Sequence, residues 1–174
     1  MATADAIATV TAAIVQHLLR AIEATGRTEI DVKAGSAGDL ATPESGVTVV
    51  LHHVSPDQAV RVAPGRGATV PLVLRYLVVP RGGKPLEQQG LLGTVATALA
   101  AHPVLTSDDL AAVTPGVFGP EERVELSFES VPPDALVPVW RARPELRQPC
   151  LVVLARPVVL SAAPSGEPGL HVVQ

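Results

Sequence analysis

Aromatic side chains are nearly missing from this chain. Of 174 residues, Tyr76, Phe118, Phe128 and Trp140 supply the whole aromatic fraction of 2%. Proteins that hold single-stranded nucleic acid stack bases on aromatic platforms, and few such platforms exist here. The core must be built from Val, Leu, Ile and Ala instead. An excess of positive charge is also missing. Thirteen basic residues against seventeen acidic ones give a net charge of −4, with no basic run. A phosphate backbone is therefore not an expected partner. Cysteine is reduced to Cys150 alone, which excludes a disulfide framework and a thiolate metal site and suits a reducing compartment. Long apolar runs are absent too. The N-terminal uncharged stretch from Ala6 to Leu19 has 14 residues and contains Thr, Gln and His, too short and too polar to span a bilayer. Asp5 precedes it and no Lys or Arg comes before Arg20, so the charged start of a signal peptide is lacking. The expectation is a soluble protein made in the cytoplasm, with neither membrane nor nucleic acid as partner.

Catalytic signatures are missing as well. His52-His53 suggests a metal pair, but neighbours on a strand point to opposite faces, and no HxxxH, CxxC or HExxH accompanies them. Gly82-Gly83-Lys84-Pro85 resembles a phosphate loop, yet GxxxxGK[ST] fails in spacing and at Pro85, which leaves an ordinary strand-to-helix turn. No GxSxG elbow marks a serine nucleophile. Cys150 stands beside Pro149 at the start of an apolar strand, the setting of a buried, inert thiol. Asp108-Asp109 fit the positive end of a helix, and Glu121-Glu122 with Glu125 and Glu129 fit a solvated strand edge. The residues thus predict no catalytic, cofactor or metal site, no cofactor, and a binding or structural role rather than an enzyme. Arg61, Arg66, Arg75, Arg81 and Lys84 flank one long strand and form a candidate basic rim for a partner.

That strand, Val70 to Pro80, is the strongest feature present. Val70, Leu72, Leu74, Tyr76 and Val78 share one face at period two, and Val73, Leu77 and Val79 make the other face apolar. A strand apolar on both faces belongs inside a sheet covered on both sides. Pro71 places the strand start and Pro80 its end. Around it the pattern predicts an amphipathic helix over 3–24 capped by Thr3 and stopped by Gly26, and a short strand over 29–32. A Gly/Ser-rich mobile loop over 33–46 follows, then strands over 47–54 and, at an edge, 58–62. The turn 64–67 leads into the central strand. A helix over 86–101, a capped short helix over 107–113 and an alternating strand over 124–130 come next. In that strand Val124, Leu126 and Phe128 point inward. A short helix over 133–141 anchored by Trp140 precedes a last strand over 151–160, in which Pro157 pushes the second half to an edge. The order reads as α+β: one mixed, mainly antiparallel sheet with helices packed on it. Residues 1–160 form the domain, and 161–174, rich in Pro, Gly and Ser, a flexible tail. A chain of this length buries about 70% of its unfolded surface.

Several segments together resemble a known family. They are VTVVLHHVSPDQAVR (47–61), VPLVLRYLVVP (70–80), EQQGLLGTVATALAAHPVLTSDDL (87–110) and VELSFESVPPDALVPVWRARPELRQPCLVVLARPVVL (124–160), after an apolar N-terminal helix. Their order and spacing resemble the N-terminal domain of the tail-terminator or cap proteins of contractile injection systems, the group of the Photorhabdus virulence cassette and the antifeeding prophage. The chain departs from that pattern at Asp57 and Gln58, where asparagines are common. It departs again at Cys150-Leu151, where an aromatic is often found, and in lacking the extra domain of larger relatives. The resemblance implies a structural cap: a ring, a hexamer, ending inner tube and sheath at the end distal to the baseplate, in a phage tail-like particle. It implies as partners the chain itself, the inner tube protein and the sheath protein, and neither catalysis nor cofactor. The alternatives are a tail-completion or connector protein of a related phage-like tail, and a small enzyme of unrecognised type.

Overall fold

The computed structural model describes residues 5–41, 44–60, 69–141 and 148–161. The long strand is where its sequence places it. It runs Thr69–Arg81 and is the third strand, β3, of a six-stranded sheet. The others are β1 (Asp31–Ala34), β2 (Gly46–Pro56), β4 (Val104–Leu105), β5 (Val124–Phe128) and β6 (Leu151–Ser161). The sheet order is β1-β2-β3-β6-β5-β4. β1 lies parallel to β2, and every other pair is antiparallel. The chain is α+β with a mixed, mainly antiparallel sheet, and β3 is central, as its two apolar faces require.

Those faces serve two cores. Leu74, Tyr76 and Val78 join a large cluster with Val10, Ile14, Leu18 and Ile22 of α1 (Ala6–Glu23), Leu91, Val95 and Leu99 of α2 (Pro85–Ala101), and Leu110 of α3 (Ser107–Val113). On the opposite face Leu77 and Val79 join Val50, Val152, Leu40 and Trp140. This second face is covered by a 3-10 turn, Ala37–Ala41, and by a 3-10 turn at Pro133–Leu136 running into α4 (Val137–Trp140). Trp140, only 5% exposed, is the anchor its position suggested. α1 has the length and hydropathy of a membrane span. Here that stripe is used to bury Ala6, Val10, Ile14, Leu18 and Ile22 completely.

Several expectations shift in detail. The first strand starts two residues later, and α1 begins at Ala6 after Asp5; Thr3 lies outside the described residues. Gln58 and Ala59 form a turn and Val60 lies in no strand, where an edge strand was expected, and 61–68, with the expected 64–67 turn, fall outside the description. Leu86, expected on the apolar face of α2, is 80% exposed; Phe128, expected inward, is 47% exposed. β4 escaped notice because two residues carry no periodicity. The Gly/Ser-rich loop holds a local turn, with the Ser36 amide and hydroxyl donating to Asp39 at 2.7 and 2.8 Å. These bonds hold the exposed Asp39 carboxyl below the usual range.

Two bulges shape the long strands. Between Leu51 and His53 of β2, opposite Tyr76 and Arg75, His52 is an extra residue. Between Ala155 and Val158 of β6, opposite Leu74 and Leu72, a further residue is inserted beside Pro157, where a missing amide hydrogen costs least. Beyond Arg156, β6 pairs with β3 alone among the described residues, the edge position Pro157 predicted.

Candidate functional site

The five expected rim residues do not form one surface. Arg61 and Arg66 lie outside the described residues. Arg81 is fully buried. Its guanidinium ion-pairs with Asp31 and donates to the Glu44 carbonyl at 3.0 Å. It fits because Gly46 has no side chain: a Cβ there would lie 2.5 Å from the Asp31 carbonyl oxygen and 2.6 Å from Arg81 Nη2. Arg81 is thus a tie between β1, β2 and β3. Arg75 is partly exposed and committed within the chain. Its Nε donates to Glu129 at 3.0 Å and its Nη1 to Ser55 Oγ at 2.9 Å. Lys84 is exposed at the start of α2, where its amide donates to Glu87 at 2.9 Å. Gly82 and Gly83 just before it both hold positive φ, +61° and +66°, so the glycine pair serves a left-handed turn that other residues resist.

The structure brings together instead a strand arm that sequence reasoning only half saw. β1 covers the outer edge of β2 only as far as Val49. From Val50 to Pro56, β2 pairs with β3 alone among the described residues, and β6 does the same after Arg156. The ends of β2, β3 and β6 therefore form a three-stranded ribbon whose two outer edges pair with no strand among the described residues, while Leu72 and Val158 still face the helix-side core. Val54 and Val70, 41% and 47% exposed, lie on it. Edges with unpaired amides and carbonyls are templates for another strand. The pairing of His52 and His53 also differs from simple alternation. The bulge sets their rings 6.5 Å apart and 40° tilted, rather than on opposite faces. Among the described residues no group of three or more His, Cys, Asp or Glu could hold a metal.

A second feature is an open groove of about 850 Å3 between α1 and the C-terminal half of α2, floored by Ala21, Ala24, Gly93, Thr97 and Ala101. His17 and His102 meet edge to face at 5.9 Å at one end. Asp109 closes that end. Burial raises its carboxyl, but bonds from the Thr106 hydroxyl and amide outweigh this and hold it low. The sequence signal was there: residues 88–101 of α2 contain no charge at all. Nothing in the groove has the geometry of an activated nucleophile. Cys150 lies on the other face, half-buried, and burial pushes its thiol up. The inert reading of that cysteine is physically consistent.

The model of the Pvc16 N-terminal domain matches residues 9–174. The chain belongs to the Pvc16 N-terminal domain family. No curated protein matches it in sequence. Two solved cryo-EM structures share its fold. One is the sheath/tube terminator of PVC, an extracellular contractile injection system, in its extended state, with 17% identity and a TM-score of 0.52 over 86% of this chain and 57% of that one. The other is the tube-terminating cap of the anti-feeding prophage, with 18% identity and a TM-score of 0.52 over 85% of this chain and 55% of that one. This Pvc16 N-terminal domain chain therefore spans a little over half the length of the solved relatives it resembles.

Proposed function

We propose that this chain is a structural cap, the tail terminator of a contractile injection system. It forms a ring, a hexamer, that ends inner tube and sheath at the end distal to the baseplate, within a phage tail-like particle. The observation that carries this is membership of the Pvc16 N-terminal domain family over nearly the whole chain, supported by the shared fold of two terminating proteins. The physical need is plain. A tube built from identical head-to-tail contacts grows until a subunit matches one side and offers no continuing surface on the other. The uncovered edges of β2 and β6 suit backbone pairing with an extended segment of sheath or tube. Catalysis, cofactor, nucleic acid and membrane have no part in this reading. Deleting the chain tests it: tubes and sheaths still polymerise, but particles come out uneven in length or contract early. Electron micrographs showing intact particles of normal, uniform length would overturn the proposal.

A further inference from the structure

The bulge in β2 sits at the root of the uncovered arm and gathers an unusual set of groups. His52 has no residue of its own across the strand pair. It is half-buried, and its Nε2 is enclosed with no hydrogen-bond partner among the described residues. Three charged or titratable groups face it: His53 on β2, Arg75 on β3 and Glu129 just past β5. Arg75 is the stitch of the arm. It bonds Glu129 on one side and Ser55 of outer β2 on the other. Past the bulge, residues 53–56 are held by β3 alone among the described residues. A strand end held on one side is the cheapest part of a sheet to open.

A proton on His52 creates a cation in this place. Among the described residues its new N–H finds no acceptor at the enclosed nitrogen, and the charge lies against Arg75 and His53, with Glu129 to offset it. We propose that this bulge is an acid-operated release for the outer end of β2: proton uptake by His52 loosens residues 53–56 from β3 while the rest of the sheet stays closed. The only covalent change is one proton taken from solvent by the imidazole. The consequence is a strand edge whose order depends on pH, whatever that edge binds.

The sign follows from the surroundings. Burial first, then His53 and Arg75, hold the folded His52 below its ordinary value, and Glu129 opposes them. The opened state binds the proton more readily. Opening therefore gains as pH falls below about 6.5, by up to about tenfold per pH unit for a single proton.

Amide hydrogen exchange between pH 7.5 and 5.5, corrected for intrinsic chemistry, tests this on the whole chain. Protection at residues 53–55 is expected to fall with pH while Val47 to Val50 keep theirs, and His52→Gln is expected to abolish the fall. The His52 ring, followed by NMR in the unaltered protein, is expected to titrate below about 6.5. Protection that does not fall, or falls equally in His52→Gln, overturns the proposal. So does a His52 ring that titrates at or above the ordinary histidine value, which decides the matter even if His52→Gln does not fold.

Discussion

Arg81 shows how far a single residue can depart from the role its charge suggests. An arginine directly before a glycine turn looks like a surface cation, yet this one is sealed between three strands by Asp31, the Glu44 carbonyl and the bare Cα of Gly46. Asp31 is half-exposed, so removing Arg81 strands no buried charge but empties a filled core site and breaks its hydrogen bonds, a cost of about 1–3 kcal/mol. Arg81→Ala is expected to lower stability by that amount in chemical denaturation. Arg81→Lys should fall between the two, because a point charge cannot serve Asp31 and the Glu44 carbonyl in the same fork geometry. Leu74 makes the complementary case. It has no exposed surface and packs beneath α1, so Leu74→Asp would bury an unpaired carboxylate and should leave no cooperative melt. A soluble Leu74→Asp protein with the original midpoint would contradict its central place. Tyr76 beside it reaches Thr11 of α1 at 2.9 Å, and burial lifts its hydroxyl to about 12, with that bond opposing. It stays neutral and ties helix to strand.

At the level of elements, the caps do what their sequences promise. Thr106 accepts from the Asp109 amide at 3.3 Å, and Asp109 accepts from the Thr106 amide at 2.9 Å, a reciprocal pair that starts α3. Thr106→Ala is expected to cost about 1 kcal/mol, a fall of about 2–4 °C in melting temperature for a chain of this size. Asp109→Asn should cost less, since an amide oxygen can still accept. α2 is the unusual element. It buries only Leu91, Val95 and Leu99, and its remaining surface is uncharged from Gln88 onward. The strands tell a related story, since β3 is buried along both faces while β2 and β6 outrun their neighbours.

For the whole molecule, the rim and the fold can be separated by mutation. Lys84 is exposed, and it is its amide that bonds Glu87. Lys84→Glu is expected to leave the melting midpoint within about 0.5 kcal/mol and to weaken ring formation, read by native mass spectrometry. Arg75→Glu should behave differently. It sets a carboxylate against Glu129 and frees Ser55, so stability falls before any question of assembly arises. Unchanged rings in Lys84→Glu would take that residue out of the interface.

What the sequence determined by itself is what depends on local pattern. Period-two alternation located β2, β3 and β5, an apolar run located β6, helical spacing located α1 and α2, and the Asp108-Asp109 pair located the start of α3. The family order of segments was legible for the same reason, because spacing between elements survives where identity does not. Tertiary structure decided the rest. The bulge at His52 broke the alternation that set two histidines on opposite faces, since an inserted residue is a property of the strand pair and not of one strand. Arg81 became a core residue because β1 arrives from 50 residues away with Asp31. Phe128 and Leu86, expected inward, are exposed. The open edges of the arm follow from β1 stopping at Ala34 while β2 continues to Pro56. Strand lengths are read one at a time from sequence, but an uncovered edge is the difference between two of them, fixed only when they pair.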